Sequence, residues 1–345
     1  MKKIHLALLI IAILAYSFTY SQNTISTDKI NWISFKEALN KNKKEPRKII
    51  MDINTEWCGW CKYMDKTTFT DPNIIAYINT NFYAVKFDAE SFDTIEYKGK
   101  KYGPSQPYSG AGRKPAHNLA ISLLQGQLSY PNIMYFDDSS NVITAIPGYK
   151  SAKDLQAFLI YFAENIYKYA NIQPFLNDFN STFTDSLRNK TEKIKWLTIK
   201  QAVEKNKKEK KKMIISLQTD WCPTCKIMDN CTFNNQKLAD YINTKCYAVR
   251  LNATTKDTIE FNNYKFINEN KEHPFNQFAV TLLNGKMRFP NFIFIDENSN
   301  LITGVPGYMT TEGIEPIIKY FITDSFKTTK WEDYIKTFTS DLTTK

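Results

Sequence analysis

Histidine is nearly absent from this 345-residue chain, which holds only His5, His117 and His273. So few imidazoles leave metal chemistry without support, and no metal is expected. Cysteine is also scarce: six residues are too few for a disulfide scaffold of this length. Four of them form two Cys-x-x-Cys pairs, Cys58/Cys61 and Cys222/Cys225, and each pair is followed by lysine where a c-type haem attachment requires histidine. No cysteine precedes Cys58, so none follows the N-terminal apolar run at a lipid-attachment position. That run, Ile4 to Tyr16, falls short of the ~20 residues of a membrane-spanning helix. The two basic runs, Lys41 to Lys48 and Lys205 to Lys212, lack the interleaved aromatics that stack on bases, and no nucleic-acid partner is expected.

Apolar material is ample: 43% of residues are hydrophobic and 14% aromatic, enough for two packed domains. Lys2 and Lys3 before the apolar run, and Thr19-Tyr20-Ser21 after it, read as a signal peptide over residues 1–21 with the mature chain starting at Gln22. This places the protein in the periplasm or outside the cell, where disulfides form and must be managed. The formal charge of +10 falls to +8 without Lys2 and Lys3. The basic runs read as solvated loops at equivalent places in two repeats.

The two dithiols organise the chain. Thr55-Glu56-Trp57-Cys58-Gly59-Trp60-Cys61-Lys62 and Thr219-Asp220-Trp221-Cys222-Pro223-Thr224-Cys225-Lys226 each end an apolar β-type run, Lys48 to Ile53 and Lys212 to Leu217, and each precedes helical spacing. A helix starting just after Cys58 puts that sulfur over unpaired backbone N–H groups and the positive helix end, which favours thiolate. Cys58 is therefore the expected nucleophile. Cys61, one turn on, is placed to resolve a mixed disulfide, and Cys222 and Cys225 repeat the arrangement.

With these motifs the chain after residue 30 resembles the thioredoxin family, in a variant similar to secreted bacterial thioredoxin-like proteins. The resemblance implies a proton-handling role for Asp52, six residues before Cys58, with Lys86 beside it on the next strand. It also implies cis-prolines at Pro131 and Pro290, before the strands that follow Tyr130 and Phe289, and a substrate groove there. Trp57, Gly59, Trp60, Tyr130, Pro131, Trp221, Phe289 and Pro290 are the implied substrate-facing residues. A zinc site shared by the two pairs is disfavoured, because each pair has its own strand-to-helix frame and its own proline.

The chain is an internal duplication. Adding 164 carries Trp32 to Trp196, Cys58 to Cys222 and Tyr77-Ile78-Asn79-Thr80 to Tyr241-Ile242-Asn243-Thr244; adding 159 carries Pro131-Asn132 to Pro290-Asn291 and Pro147-Gly148-Tyr149 to Pro306-Gly307-Tyr308. The five-residue difference marks a loop between these blocks. The expected fold class is α/β: two tandem thioredoxin-like domains at 22–179 and 196–345, each a central mixed sheet flanked by helices, joined by a linker at 180–195. In the first unit the expected elements are 34–42, 48–54, 59–80, 82–88, 116–125, 132–137, 142–146 and 151–169. The variable loop from Ala89 to Pro115 holds Tyr97, Tyr102, Tyr108 and four glycines, whereas its counterpart, Ala253 to Pro274, holds no glycine. Cys231 and Cys246 occur only in the second unit and read either as a local disulfide or as free buried thiols.

The expected function is an exported thiol-disulfide oxidoreductase without a bound cofactor, acting on protein disulfides and, by resemblance, recharged by a membrane thiol reductase. The rival is a peptide-binding or chaperone-like protein in which redox chemistry is secondary. Ser216 stands where Asp52 does, and Arg250 where Lys86 does, so the second dithiol keeps the cation and loses the carboxylate.

Overall fold

The computed structural model describes residues 29–107, 110, 112–183, 192–271 and 273–342. The expected signal peptide, Tyr108 and half of the expected linker, 184–191, lie outside these residues. Contacts divide the chain between Ala152 and Lys153, ahead of the boundary read from the repeat.

The first unit runs β1 (Trp32–Ile33), α1 (Phe35–Lys44), β2 (Lys48–Asn54), α2 (Gly59–Thr67), α3 (Pro72–Asn81), β3 (Phe82–Asp88), β4 (Ile95–Tyr97), β5 (Lys100–Tyr102), α4 (Asn118–Leu123), β6 (Asn132–Phe136) and β7 (Val142–Pro147). The main sheet has the order β1-β3-β2-β6-β7. β2 pairs parallel to β3 and antiparallel to β6, so it is central and its residues through Ile53 are buried. Continuous apolar sequence suits a strand covered on both faces. Phe35 and Ala38 of α1, Leu119, Ala120 and Leu123 of α4, and Ile49, Met51 and Ile53 of β2 share one core.

The second unit runs α5 (Ala152–Ala163), α6 (Ile172–Phe183), α7 (Ile199–Lys208), β8 (Met213–Gln218), α8 (Pro223–Asn230), α9 (Gln236–Lys245), β9 (Tyr247–Asn252), β10 (Ile259–Phe261), β11 (Tyr264–Phe266), α10 (Gln277–Leu282), β12 (Asn291–Ile295), β13 (Leu301–Pro306), α11 (Thr311–Ile322) and α12 (Trp331–Thr337). Its sheet has the order β13-β12-β8-β9, with β8 parallel to β9 and antiparallel to β12. The equivalent of β1 survives only as a bridge between Leu197 and Val249.

Several expectations are corrected. The single helix expected over 59–80 is broken after Thr67, because the Asp71 carboxylate accepts the N–H groups of Asn73 and Ile74 and Pro72 occupies the first turn of α3. The variable loops are hairpins: β4 pairs with β5 and β10 with β11. Lys98 and Gly99 turn with φ of 51° and 75°, and Asn262 and Asn263 turn with 49° and 65°, so asparagine supplies in the second unit the left-handed pair that the first builds with glycine. The basic runs are not loops throughout. Lys41, Lys43 and Lys44 form the last turn of α1, where cations oppose the helix dipole, and buried Lys212 opens the strand region paired with Glu297 at 2.6 Å and Asp324 at 2.9 Å. α6 continues to Phe183, inside the expected linker. Of the two readings of Cys231 and Cys246 the local disulfide is not formed; Cys246 is buried as expected, whereas Cys231 is only half-buried.

Candidate active site: two dithiols at helix N-termini

β2 delivers the chain to a turn in which Cys58 N–H donates to the Thr55 carbonyl at 3.1 Å. Cys58 is the N-cap of α2, and its Sγ accepts the Cys61 N–H at 3.1 Å. The two sulfurs form a disulfide, and both residues are buried. Cysteines at N-cap and N3 meet because one helical turn separates them. Gly59 is exposed, and a Cβ added there would meet nothing within 4 Å, so glycine leaves the approach to the sulfurs open without being sterically required.

Trp57 is held from three sides. Its indole N–H donates to Glu90 at 2.8 Å, the Arg113 guanidinium lies 3.9 Å above the ring, and Tyr130 meets it edge-on at 5.9 Å. Arg113 also pairs with Glu90 at 3.4 Å. Tyr130 leads into Pro131 through a cis bond, and the Pro131 carbonyl accepts Gly148 N–H at 2.8 Å. On the other side Trp60, 62% exposed, packs with Tyr63 and Tyr149 at 5.8 and 5.5 Å. The dithiol is therefore flanked by two aromatic groups, one braced and one open to solvent.

Asp52 is buried on β2, between Lys86 on β3 and Ile133 on β6 in the sheet register. Its Oδ2 accepts from Asn54 Nδ2 at 3.1 Å and stands 4.0 Å from Lys86 Nζ. Lys86 is bound more closely to Asp65 on α2. Burial pushes the Asp52 carboxyl up to about 7, against the pull of Lys86 and with a further push from Asp65.

The second site repeats the cysteine geometry. Cys222 caps α8, its Sγ accepts the Cys225 N–H at 3.1 Å, and the two form a disulfide. Pro223 takes the place of Gly59 at the first helical position. Trp221 is exposed, 6.4 Å from Phe275, which lies 5.6 Å from Phe289; the Phe289-Pro290 bond is cis. Ser216 is buried and accepts from Gln218, whose amide also donates to Asp229 at 3.1 Å. Arg250 pairs with Asp229 at 3.2 Å and lies 4.6 Å over Trp196.

The structure thus gathers Cys58, Cys61, Trp57 and Tyr130 around one dithiol, and links Trp221 to Phe289 through Phe275 at the other. Sequence reasoning missed Asp65, Glu90, Arg113 and Phe275. Asp65 and Asp229 stand 164 apart, so the repeat carried a signal for them. Glu90 aligns with Thr254 and left no such trace. His117 is structural: its ring caps α4 by accepting Leu119 N–H at 3.0 Å, the position Asn276 fills at α10.

A Cys-x-x-Cys disulfide capping the helix after a central strand, in sheets of this order, defines a dithiol protein of the thioredoxin fold. The family model Thioredox_DsbH, described as "Protein of unknown function, DUF255", matches residues 16–102, and a "Thioredoxin-like domain" model matches residues 199–322. The chain belongs to the thioredoxin-like family and carries two such domains. Among solved structures it is similar to a DsbH oxidoreductase (13% identity over 39% of this chain and 85% of that one, TM-score 0.28). It is also similar to a thioredoxin from Thermus thermophilus (12%, 38% and 85%, TM-score 0.28). A third is a thioredoxin-fold protein from Helicobacter pylori (15%, 46% and 87%, TM-score 0.30). No curated protein matches the chain.

Proposed function

We propose that the protein is an exported thiol-disulfide oxidoreductase that reduces disulfides in extracytoplasmic proteins through both dithiols. The observation that supports this most directly is the placement of Cys58 and Cys222 as helix N-caps whose sulfurs accept the N–H of Cys61 and Cys225. That placement stabilises negative charge on the first sulfur of each pair.

In the reduced protein the Cys58 thiolate attacks one sulfur of a substrate disulfide. A mixed disulfide forms, and the other substrate sulfur leaves as a thiolate and takes a proton. Cys61 then loses its proton to Asp52 and attacks Cys58, breaking the mixed disulfide and freeing the second substrate thiolate. Two electrons pass from the dithiol to the substrate, leaving the Cys58–Cys61 disulfide to be recharged by a membrane thiol reductase. An Asp52 carboxyl lifted to about 7 is matched to accepting a proton near neutrality. Trp57, Trp60 and Tyr130 supply aromatic surface for an extended substrate segment beside Pro131. Cys222 and Cys225 act likewise beside Trp221, Phe289 and Pro290.

Insulin reduction by the mature protein, compared with a Cys58→Ser/Cys222→Ser double variant, tests the reading. Turnover is expected only with the first sulfurs present, and equal activity in the variant would refute it.

A further inference from the structure

The two residues that separate the cysteines differ between units in chemistry and in surroundings. Trp60 is 62% exposed, whereas Thr224, its equivalent at a distance of 164, is fully buried. What covers Thr224 includes Glu164, just past the end of α5. Thr224 Oγ1 donates to Glu164 Oε2 at 2.8 Å and stands 3.5 Å from Cys222 Sγ. Disulfide-bonded Cys222 has no S–H, so in this state the hydroxyl proton goes to the carboxylate. Reduction creates a sulfhydryl whose proton lies one hydroxyl away from a carboxylate.

The placement is built from several contacts. Arg288, two residues before Pro290, donates to the Glu164 carbonyl at 3.3 Å. Gly307 faces Tyr169: a Cβ there would stand 3.2 Å from the tyrosine hydroxyl. Tyr308 donates to Asp178 on α6 at 2.9 Å, and Phe175 packs edge-on against Tyr308 at 5.4 Å. The segment from Glu164 to Asp178 is thereby fixed beside the second dithiol. The titratable and charged groups facing Glu164 are Cys222, Arg288 and Tyr169. Burial lifts the Glu164 carboxyl to about 7, against the Thr224 hydrogen bond and Arg288, while burial and then Glu164 push Tyr169 up to about 12.

We propose that Glu164 is a positioning residue of the second dithiol, exchanging a proton with Cys222 through the Thr224 hydroxyl. The proposal rests on the reading of Cys222 as a redox-active thiol. In the exchange Cys222 S–H gives its proton to Thr224 Oγ1, and Thr224 passes its own proton to Glu164. The products are a Cys222 thiolate and a neutral carboxylic acid, with no change in electron count. The neutral acid then donates to Thr224 Oγ1, which frees the hydroxyl proton to donate to the thiolate. An ionised Glu164 has the opposite effect, because it holds the hydroxyl proton and sets a negative charge against the sulfur.

The test is pulse alkylation of the reduced full-length chain with iodoacetamide from about pH 4 to about pH 9, with Cys222 and Cys58 followed separately by peptide mass spectrometry. Glu164→Gln removes the ionised carboxylate and should lower the Cys222 midpoint by about one pH unit, a tenfold gain in thiolate at fixed pH. Thr224→Val keeps volume and removes the hydroxyl that stabilises the thiolate, so it should raise the midpoint by a similar amount. Glu164→Asp should restore a profile between wild type and Glu164→Gln. Cys58 should titrate alike in all four proteins, and Cys246, buried in the same unit as Cys222, should stay unlabelled, which checks that the second unit is folded. A Cys222 profile that stays put in Glu164→Gln, or moves the same way in both variants, would overturn the proposal. Alkylation needs no turnover, so failure of the proposed reductase activity and failure of this coupling are read separately.

Discussion

Lys86 Nζ stands 4.0 Å from Asp52 Oδ2 while forming its close ion pair with Asp65. The cation expected to serve the buried acid is shared with a helix residue and lies nearer to it. Asp52 is left with the Asn54 amide on one oxygen and no hydrogen bond on the other among the described residues. An under-compensated carboxyl of this kind holds its proton to higher pH, and that has a thermodynamic signature.

In the unfolded chain Asp52 titrates near its ordinary value of 3.8; in the fold it titrates at about 7. Between these values the native state binds more protons than the unfolded state, so this residue's contribution to stability falls as pH rises through that window and stays unfavourable above it. Asp52→Asn should therefore stabilise the oxidised protein at about pH 8 by on the order of 2–4 kcal/mol and by almost nothing near pH 4. Urea unfolding at the two pH values checks it, and a gain of equal size at both would show that ionisation is not the cause.

Cysteine roles are separable by trapping. Cys61→Ser should accumulate mixed disulfides with substrate proteins, since the step that releases them is gone, and Cys58→Ser should trap almost none at that site. Non-reducing gels of tagged variants read this directly. The reverse pattern would exchange the assignments of attacking and resolving thiol.

The two dithiols should differ in pace. Ser216 cannot accept a proton near neutrality as Asp52 can, and Glu164 reaches Cys222 through Thr224. Resolution at Cys225, in a chain with Cys58 and Cys61 changed to serine, should be slower than resolution at Cys61 in the converse chain by about tenfold or more. Ser216→Asp should narrow the difference and Asp52→Ser should slow the first site. Stopped-flow single turnovers with a fluorescent disulfide decide it, and equal wild-type rates would refute the assignment.

Cys246 should be inert in the folded protein. Burial pushes its thiol up to about 12, and its Sγ lies 3.3 Å from the Ile242 carbonyl it bonds. At about pH 8 it should carry roughly a thousandfold less thiolate than an ordinary cysteine and resist iodoacetamide until denaturant is added. Labelling of Cys246 at native concentrations of reagent, at the rate seen in urea, would contradict this.

Local spacing and the repeat made much of the architecture legible: the central strands and the helix after each dithiol follow from apolar runs and matched registers, while the two cis-proline positions came from the resemblance to thioredoxins. The break at Thr67 was legible too, since Asp71-Pro72 is a cap followed by a first-turn proline, but the apolar period through Ile74, Ile75 and Ile78 masked it. The second hairpin was hidden because Asn262-Asn263 does without glycine. Glu164, Glu90 and Arg113 had no sequence signal. Glu90 and Arg113 reach Trp57, and Glu164 reaches Thr224, from segments brought close only by tertiary packing, and no spacing within one strand or helix encodes such a meeting.

Trp60, lying between Cys58 and Cys61 and open to solvent, has Thr224 as its counterpart, so the duplication is optically lopsided. An indole beside a disulfide loses emission to it by electron transfer and regains it on reduction. The first dithiol therefore carries an indole reporter between its sulfurs that the second lacks. With the other five tryptophans, Trp32, Trp57, Trp196, Trp221 and Trp331, changed to phenylalanine, the emission of Trp60 would follow the first couple alone in a redox titration, giving its potential in the intact chain without any label.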